Sequence, residues 1–392
     1  IRKVPIMNAR LAVPLLLCIV LAACQSTDNQ HVKAAPTLLN DSLFPSYTLF
    51  PVESSDEIFY LDEDAQFFAE QAVYEKSALQ KNVKGLVKAI FDHSDQGMLY
   101  RNGANTTANT TFNNRAANCL SLSIMTYALA KHVGLQATFY EVEIPEYWTR
   151  REGYSLLNGH INLRVQLPED PNVVSIGGSF ADVDFDPQTL RSYFPRIAVS
   201  EEKVIAMFYN NKGADALVAN SYTKAYSYFR AAATVAPELA QGWVNLGVLY
   251  RMADAYEQAE AAYKHALSLN SENLTAWENL SILYRYQDRF EEAKTINQMV
   301  DTKRQSNPFY HYILGEQAFD NEEYEAAISY YLKGLKLDNT RHEILFGLAK
   351  TYFESGDITN AEQYLSRAIK HANNRQDKSR YQSKLSALAN NQ

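Results

Sequence analysis

Cysteines, histidines and runs of basic residues are scarce in this chain, and each scarcity excludes a class of function. Its 392 residues include three cysteines and eight histidines. No two histidines have the His-x-x-x-His spacing and no cysteine pair has metal-binding spacing, so we predict neither a metal site nor a cofactor. The 37 lysines and arginines form no long run and the net charge is −8, which argues against nucleic-acid binding. The length and the 46% hydrophobic content are typical of a globular protein with two or three domains.

The first part of the chain has the pattern of an export signal. Arg10 precedes an apolar run, Leu11 to Ala23, which has the length of a signal-peptide core and is short for a membrane span. The run ends in Leu21-Ala22-Ala23-Cys24, which resembles the lipobox of bacterial lipoproteins. The resemblance implies that residues 1–23 are removed and that Cys24 is lipidated. The alternative is an ordinary secretory signal with a chance cysteine.

Residues 24–56 are then predicted to form a lipidated tether, because the chain continues as polar sequence after Cys24. No aspartate follows Cys24 directly, which favours the outer membrane in lipoprotein sorting. We therefore expect a lipid-anchored protein of the bacterial cell envelope that faces the periplasm. Removal of Cys18 and acylation of Cys24 leave Cys119 as the only thiol, which indicates a reactive group or an intermolecular bridge.

Cys119 stands at the predicted start of a helix. The polar stretch Asn113–Asn118 precedes it, apolar residues follow at helical spacing from Leu120 to Ala128, and Gly134 ends the pattern. At a helix N-terminus the dipole and the unpaired N–H groups favour the thiolate, which is the nucleophilic form of cysteine. The alternative is a buried cysteine that serves as a small apolar residue.

A histidine and three aspartates follow on predicted strands. Apolar and polar side chains alternate around His160, and they do so again around Asp182, Asp184 and Asp186. In cysteine catalysis the thiolate attacks an acyl carbon, an imidazole moves the proton, and a carboxylate orients the imidazole. The alternatives are a histidine on a solvated strand face and a polar strand edge, and the pattern leaves open which aspartate takes part.

Three segments around these residues resemble bacterial transglutaminase-like domains. They are Thr110–Ser121, Asn158–Asn162 and Val183–Asp186. The resemblance implies a papain-like α+β fold, which we place at residues 57–205.

The same resemblance implies the site residues. It makes Cys119, His160 and Asp184 the triad, with Asp182 and Asp186 as alternatives. It adds Asn118 as a residue that shapes the oxyanion site and Trp148 as a cover for the cleft. Many relatives have glycine where this chain has Ala117.

The second half repeats with a period of 34 residues. One set of positions 34 apart is occupied by Tyr209, Trp243, Trp277, His311 and Leu345. Small residues follow four positions later, and alanines recur at the same interval from Ala225 to Ala361. The segment Trp243-x-x-Leu246-Gly247-x-x-Tyr250 resembles the tetratricopeptide pattern. We predict an all-α solenoid of five tetratricopeptide repeats at residues 206–375 and a capping helix or tail at 376–392.

These patterns favour one function and leave a second open. The favoured function is cysteine-dependent hydrolysis or acyl transfer at an amide bond of a protein or peptide that the repeats present. The alternative is a non-enzymatic scaffold lipoprotein that binds partner proteins. In both cases the partners are a protein or peptide on the concave face of the repeats and a membrane through the Cys24 lipid.

Overall fold

The computed structural model describes residues 35–74, 83–95, 99–100, 103–114, 116–151, 154–168, 180–185, 195–372 and 375–389. The predicted signal peptide, Cys18, Cys24, Asp186 and the strand expected at 173–176 lie outside these ranges. Within the ranges, no helix combines the length and the apolar character that a bilayer crossing needs.

The described part of the first half contains five helices. They are α1 (Ser55–Phe59), α2 (Glu63–Val73), α3 (Val83–Asp95), α4 (Ala108–Asn114) and α5 (Cys119–His132). The helical pattern expected at 57–75 is divided between α1 and α2, because Asp62 caps a new helix by accepting from the N–H of Ala65. Gly134, with φ of 69°, adopts the left-handed conformation just after α5. Two short strands, β1 (Leu99–Tyr100) and β2 (Ala116–Ala117), pair in parallel.

A small four-stranded antiparallel sheet packs against α5. Its strands in spatial order are β5 (Phe180–Val183), β4 (Tyr154–Gln166), β3 (Gln136–Arg151) and β6 (Arg196–Val199). Leu163 and Val165 of β4 share a core with α5, whereas Arg164 between them is partly exposed. β3 and β4 extend beyond the predicted strands as a long hairpin, whose register shifts between Val142 and Tyr147. Among the described strands, the hairpin beyond this bulge pairs only with itself.

The second half forms five helix–turn–helix repeats. Repeat 1 is α6 (Glu201–Val218) and α7 (Tyr222–Val235), repeat 2 is α8 (Ala240–Met252) and α9 (Tyr256–Leu269), repeat 3 is α10 (Leu274–Tyr286) and α11 (Phe290–Arg304), repeat 4 is α12 (Pro308–Asp320) and α13 (Tyr324–Leu337), and repeat 5 is α14 (His342–Glu354) and α15 (Ile358–His371). A further helix, α16 (Arg375–Ala389), packs on α15. First helices of neighbouring repeats contact each other, as α6–α8, α8–α10 and α12–α14 do, so they line the inner face.

The two helices of a repeat approach closely because a small residue of the first faces a ring of the second. The pairs are Gly213 with Phe229, Gly247 with Tyr263, and Gly315 with Tyr331. Repeat 3 replaces the pair with Ser281 and Asn297, which are joined by a 2.6 Å hydrogen bond from Ser281 Oγ to Asn297 Oδ1. The small residues predicted from the sequence therefore set the distance between helices.

The turn between the helices of each repeat requires one left-handed residue. Positive φ occurs at Asn220, Asp254, Asp288, Glu322 and Gly356, which are 34 residues apart. Asparagine, aspartate and glycine are the residues that adopt this conformation most readily, and glutamate at the fourth turn is the unusual member. This second periodic signal accompanies the aromatic one.

The first position of the aromatic pattern is a hydrogen-bond position. The ring N–H of Trp243 donates to the carbonyl of Pro237, and that of Trp277 donates to the carbonyl of Ser271. His311 contacts the carbonyl of Gln305 through the same geometry. Trp243 is fully buried, but Trp277 is only partly buried, so the sequence prediction of two largely buried indoles is wrong for Trp277.

Residues 35–54 are not the irregular tether that the sequence predicts. They contain three short 3-10 helices that lie against the second helices α7 and α9. Phe44 is buried and stacks on Tyr226 at 4.7 Å between ring centroids, and Asp41 binds the side chains of Tyr226 and Arg230. The carbonyl of Leu38 accepts a hydrogen bond from the Tyr250 hydroxyl.

The apolar core is continuous at one junction and interrupted at another. The core around α5 runs from Ile58 through α6 to Leu239, so the first half and repeat 1 share an interior. A second core fills repeats 1 to 3 and a third fills repeats 4 and 5. The interruption lies between repeats 3 and 4, where Phe309 and Ile313 pack with Leu157 of the hairpin.

Candidate functional site

Cys119 is the first residue of α5 and is partly exposed. The helix begins there because Asn118 caps it: the Asn118 side-chain oxygen accepts a 2.9 Å hydrogen bond from the N–H of Ser121. The thiol therefore lies at the helix end where the dipole favours a negative charge.

Asn118 is in turn held by the preceding loop. Its Nδ2 donates to Asn105 Oδ1 at 2.6 Å, and Asn105 Nδ2 donates to Asp215 Oδ2 of α6 at 2.6 Å. The Asn118 amide, which the sequence placed at the oxyanion site, is thus engaged by the helix and the loop, and we assign it to positioning α5. Sequence reasoning missed Asn105, because one asparagine in a turn-rich loop has no distinguishing signal.

His160 lies on β4 and is 2% exposed, so it does not lie on a solvated strand face. Its Nε2 is 2.9 Å from Asp184 Oδ2. Burial alone would lower the pKa of His160, but its interactions with Asp184 and with Cys119 outweigh burial and raise the pKa to about 9. Since Nε2 faces Asp184, Nδ1 is the ring nitrogen left for the thiol.

Asp184 directly follows β5 and is not within a strand, as the alternation had suggested. The next residue, Phe185, packs against Phe91 of α3 with ring centroids 5.3 Å apart. The helix expected beneath the cysteine segment therefore holds the chain at the point where the carboxylate meets His160.

Asp182 has a different environment. Arg164 binds it through two hydrogen bonds of 2.8 and 3.0 Å, and Arg196 is 3.1 Å away. Burial would raise the pKa of Asp182, but the two guanidinium groups hold it below the usual range. Asp182 is therefore committed to a partly exposed ion cluster, whereas Asp184 meets the histidine.

Trp148 and Asp186 complete the predicted set. The backbone of Trp148 lies on β3 opposite Leu157, beyond the bulge in the hairpin. Asp186 and the predicted lipidation residue Cys24 lie outside the described residues. In the part of the chain that the structure describes, no group of three or more His, Cys, Asp or Glu side chains is arranged to hold a metal ion.

Cys119, His160 and Asp184 thus come together from α5, β4 and the end of β5. The order is nucleophile, base and orienting carboxylate, which are the parts that thiol catalysis needs. The raised pKa of His160 means that the imidazole is largely protonated at neutral pH when the thiol is beside it. A protonated imidazole is the group that donates a proton to a leaving amine.

The repeats match a known family. Family models described as tetratricopeptide repeat match residues 240–273 and 318–388. Together with the five helix pairs, the matches confirm the tetratricopeptide repeats predicted from the sequence. None of the curated proteins compared with the chain matches it.

Several solved structures are similar to part of the chain. YrrB, described as a TPR protein with an unusual peptide-binding site, is 16% identical and aligns with 45% of this chain and 92% of its own, with a TM-score of 0.25. PilF of Pseudomonas aeruginosa is 18% identical over 48% of this chain and 94% of its own, with a TM-score of 0.28. MamA of Desulfovibrio magneticus RS-1 is 17% identical over 42% of this chain and 94% of its own, with a TM-score of 0.25.

The family matches favour the scaffold alternative over the enzyme, because tetratricopeptide repeats are protein-binding modules. They contain no counterpart of the transglutaminase-like resemblance or of the lipoprotein signal. The enzyme, the papain-like fold and the envelope location therefore stay predictions.

Proposed function

We propose that this protein is a scaffold that binds protein or peptide partners through the inner face of its five repeats, in the bacterial cell envelope. The observation that carries the proposal is the run of five helix pairs with two tetratricopeptide matches. Stacked first helices form an extended concave surface, which is how solenoids of this kind present contact area to a chain.

Site-specific photocrosslinking in the host tests this proposal. Phe353 on the first helix α14 is 42% exposed, and Leu332 on the second helix α13 is 40% exposed, so they form a matched pair on different helix layers. A photoreactive phenylalanine at position 353 should give discrete crosslinked products that are absent when it stands at position 332. Identical products from both positions, or none from either, would contradict the proposal.

We propose as a second function that Cys119, His160 and Asp184 act on amide bonds in a transglutaminase-like module of papain-like α+β fold. The Cys119 thiolate attacks the acyl carbon, protonated His160 gives its proton to the leaving amine, and a thioester forms. Water or a second amine then attacks the thioester, His160 takes the proton of this nucleophile, and the thiolate is released. The 2.9 Å contact between His160 and Asp184 favours this proposal, because it orients the imidazole.

Alkylation of Cys119 by iodoacetamide, read by mass spectrometry of its peptide, tests the second function. At pH 6 the native protein should react, His160→Ala should slow the reaction at least ~10-fold, and Asp184→Asn should slow it less. Asp182→Asn is the matched control and should leave the rate unchanged, because Asp182 binds Arg164 and Arg196. A thiol that reacts only after denaturation, whatever occupies position 160, would identify a structural cysteine. With a reactive thiol, incubation with envelope proteins with and without a primary amine separates hydrolysis from transfer.

A further inference from the structure

The hairpin of β3 and β4 reaches the solenoid where its core is interrupted. Arg304 Nε donates to Glu146 Oε2 at 2.8 Å, and Thr275 Oγ1 donates to Glu146 Oε1 at 3.1 Å. The backbone carbonyl of Glu146 accepts a 2.8 Å hydrogen bond from Asn307 Nδ2. Repeat 3 and the turn after it therefore bind both the side chain and the backbone of this one glutamate.

Arg304 makes the contact specific for a carboxylate. It is 3% exposed, and its NH1 also donates to Glu278 Oε2 of α10 at 2.9 Å. A buried guanidinium that loses a carboxylate partner is strongly destabilised, so the place of Glu146 demands an anion. Planar guanidinium groups also recognise carboxylates more selectively than other acceptors.

Repeat 4 supplies the apolar half of the same surface. Phe309 and Ile313 of α12 are buried, and Leu157 of β4 packs against them. The hairpin thus presents a carboxylate and an apolar side chain across the boundary between repeats 3 and 4. The sheet offers little to hold it there, since β5 and β6 pair with β4 and β3 only on the other side of the bulge.

We infer that this boundary, on the inner face of the solenoid, binds an extended segment of a partner protein that carries a carboxylate beside an apolar side chain. Glu146 and Leu157 are a built-in competitor for that segment. The inference rests on the proposed function of the repeats and names their partner class. Because Val142 of β3 pairs with His160, displacement of the hairpin also reaches the strand pair that carries the histidine.

Fluorescence anisotropy with a labelled peptide that copies residues 143–149 tests the inference on the full chain. The hairpin competes at a high effective concentration, so the wild-type protein should bind the peptide weakly. Glu146→Gln in the protein should tighten the dissociation constant at least ~10-fold, because the competitor loses its charge. Glu143→Gln is the matched control: it removes one negative charge from an exposed residue of the same strand and should leave the affinity unchanged.

A change in the peptide gives a second readout that needs no altered fold. Replacing its own Glu146 by Gln should weaken binding to the Glu146→Gln protein at least ~10-fold. Equal affinity of the two proteins, or of the two peptides, would overturn the inference. Crosslinks from position 353 together with equal affinities would keep the scaffold and refute this site, whereas the expected affinities without crosslinks would keep the site and refute the scaffold.

Discussion

Two glycines of α8 should respond in opposite ways to the same substitution. A Cβ at Gly247 would lie 2.5 Å from the ring of Tyr263, whereas a Cβ at Gly242 meets nothing within 4 Å. Gly247→Ala should therefore destabilise the protein by about 1–3 kcal/mol through overpacking. Gly242→Ala should stabilise it by about 0.5–1 kcal/mol, because alanine loses less backbone entropy in a helix. The two variants should differ by roughly 1.5–4 kcal/mol.

Urea denaturation followed by tryptophan fluorescence measures the difference, because Trp243 lies in the same helix. Repeat 5 suggests a rescue: Ala349 and Leu365 occupy the positions that Gly247 and Tyr263 hold in repeat 2. Adding Tyr263→Leu to Gly247→Ala should recover part of the loss, and the double-mutant cycle should show coupling. Equal midpoints for the two alanine variants would refute the argument that the helix distance is set at this glycine.

Three further predictions concern other parts of the chain. Because the pKa of His160 rises from 6.5 to about 9 on folding, its stabilisation should be complete below pH 6.5 and lost as the pH rises through 9. At about 1.4 kcal/mol per pH unit the loss approaches about 3 kcal/mol, and urea midpoints of His160→Gln should lack this pH dependence. Asp254, with φ of 57°, should tolerate glycine, whereas Asp254→Val should lower the melting temperature by the equivalent of about 1–2 kcal/mol. Cys24→Ser should release the protein from host membranes in fractionation, and equal partition of both forms would contradict lipidation.

The repeats could be predicted from the sequence because their contacts are local. The position of Trp243 and the glycine four residues later report contacts within one repeat or with its neighbour, so a period of 34 residues contains most of the structural information. The same logic missed the partial exposure of Trp277. The carbonyl that receives its N–H is set by the repeat, but its burial depends on the side chains packed around it.

The candidate site was predictable in its residue types and less so in its supports. The spacing of Cys119 and His160 suited a helix and a strand, and alternation placed Asp182 and Asp184 on one face as equivalent choices. Only the fold separates the two aspartates, because Arg164 takes one of them. The docking of residues 35–54 involves partners about 200 positions away, and no local pattern encodes such contacts.

The docking of residues 35–54 also has a consequence for the order in which the chain matures. Phe44 packs on Tyr226 and stacks at 6.3 Å from Tyr250, which is 206 positions later in the sequence. At about 5–20 residues per second, the ribosome delivers Tyr250 roughly 10–40 seconds after Phe44. During that interval a buried aromatic side chain has no place to pack. The early segment is therefore among the last to reach its final position, and it is the part of the chain that most needs protection while synthesis continues.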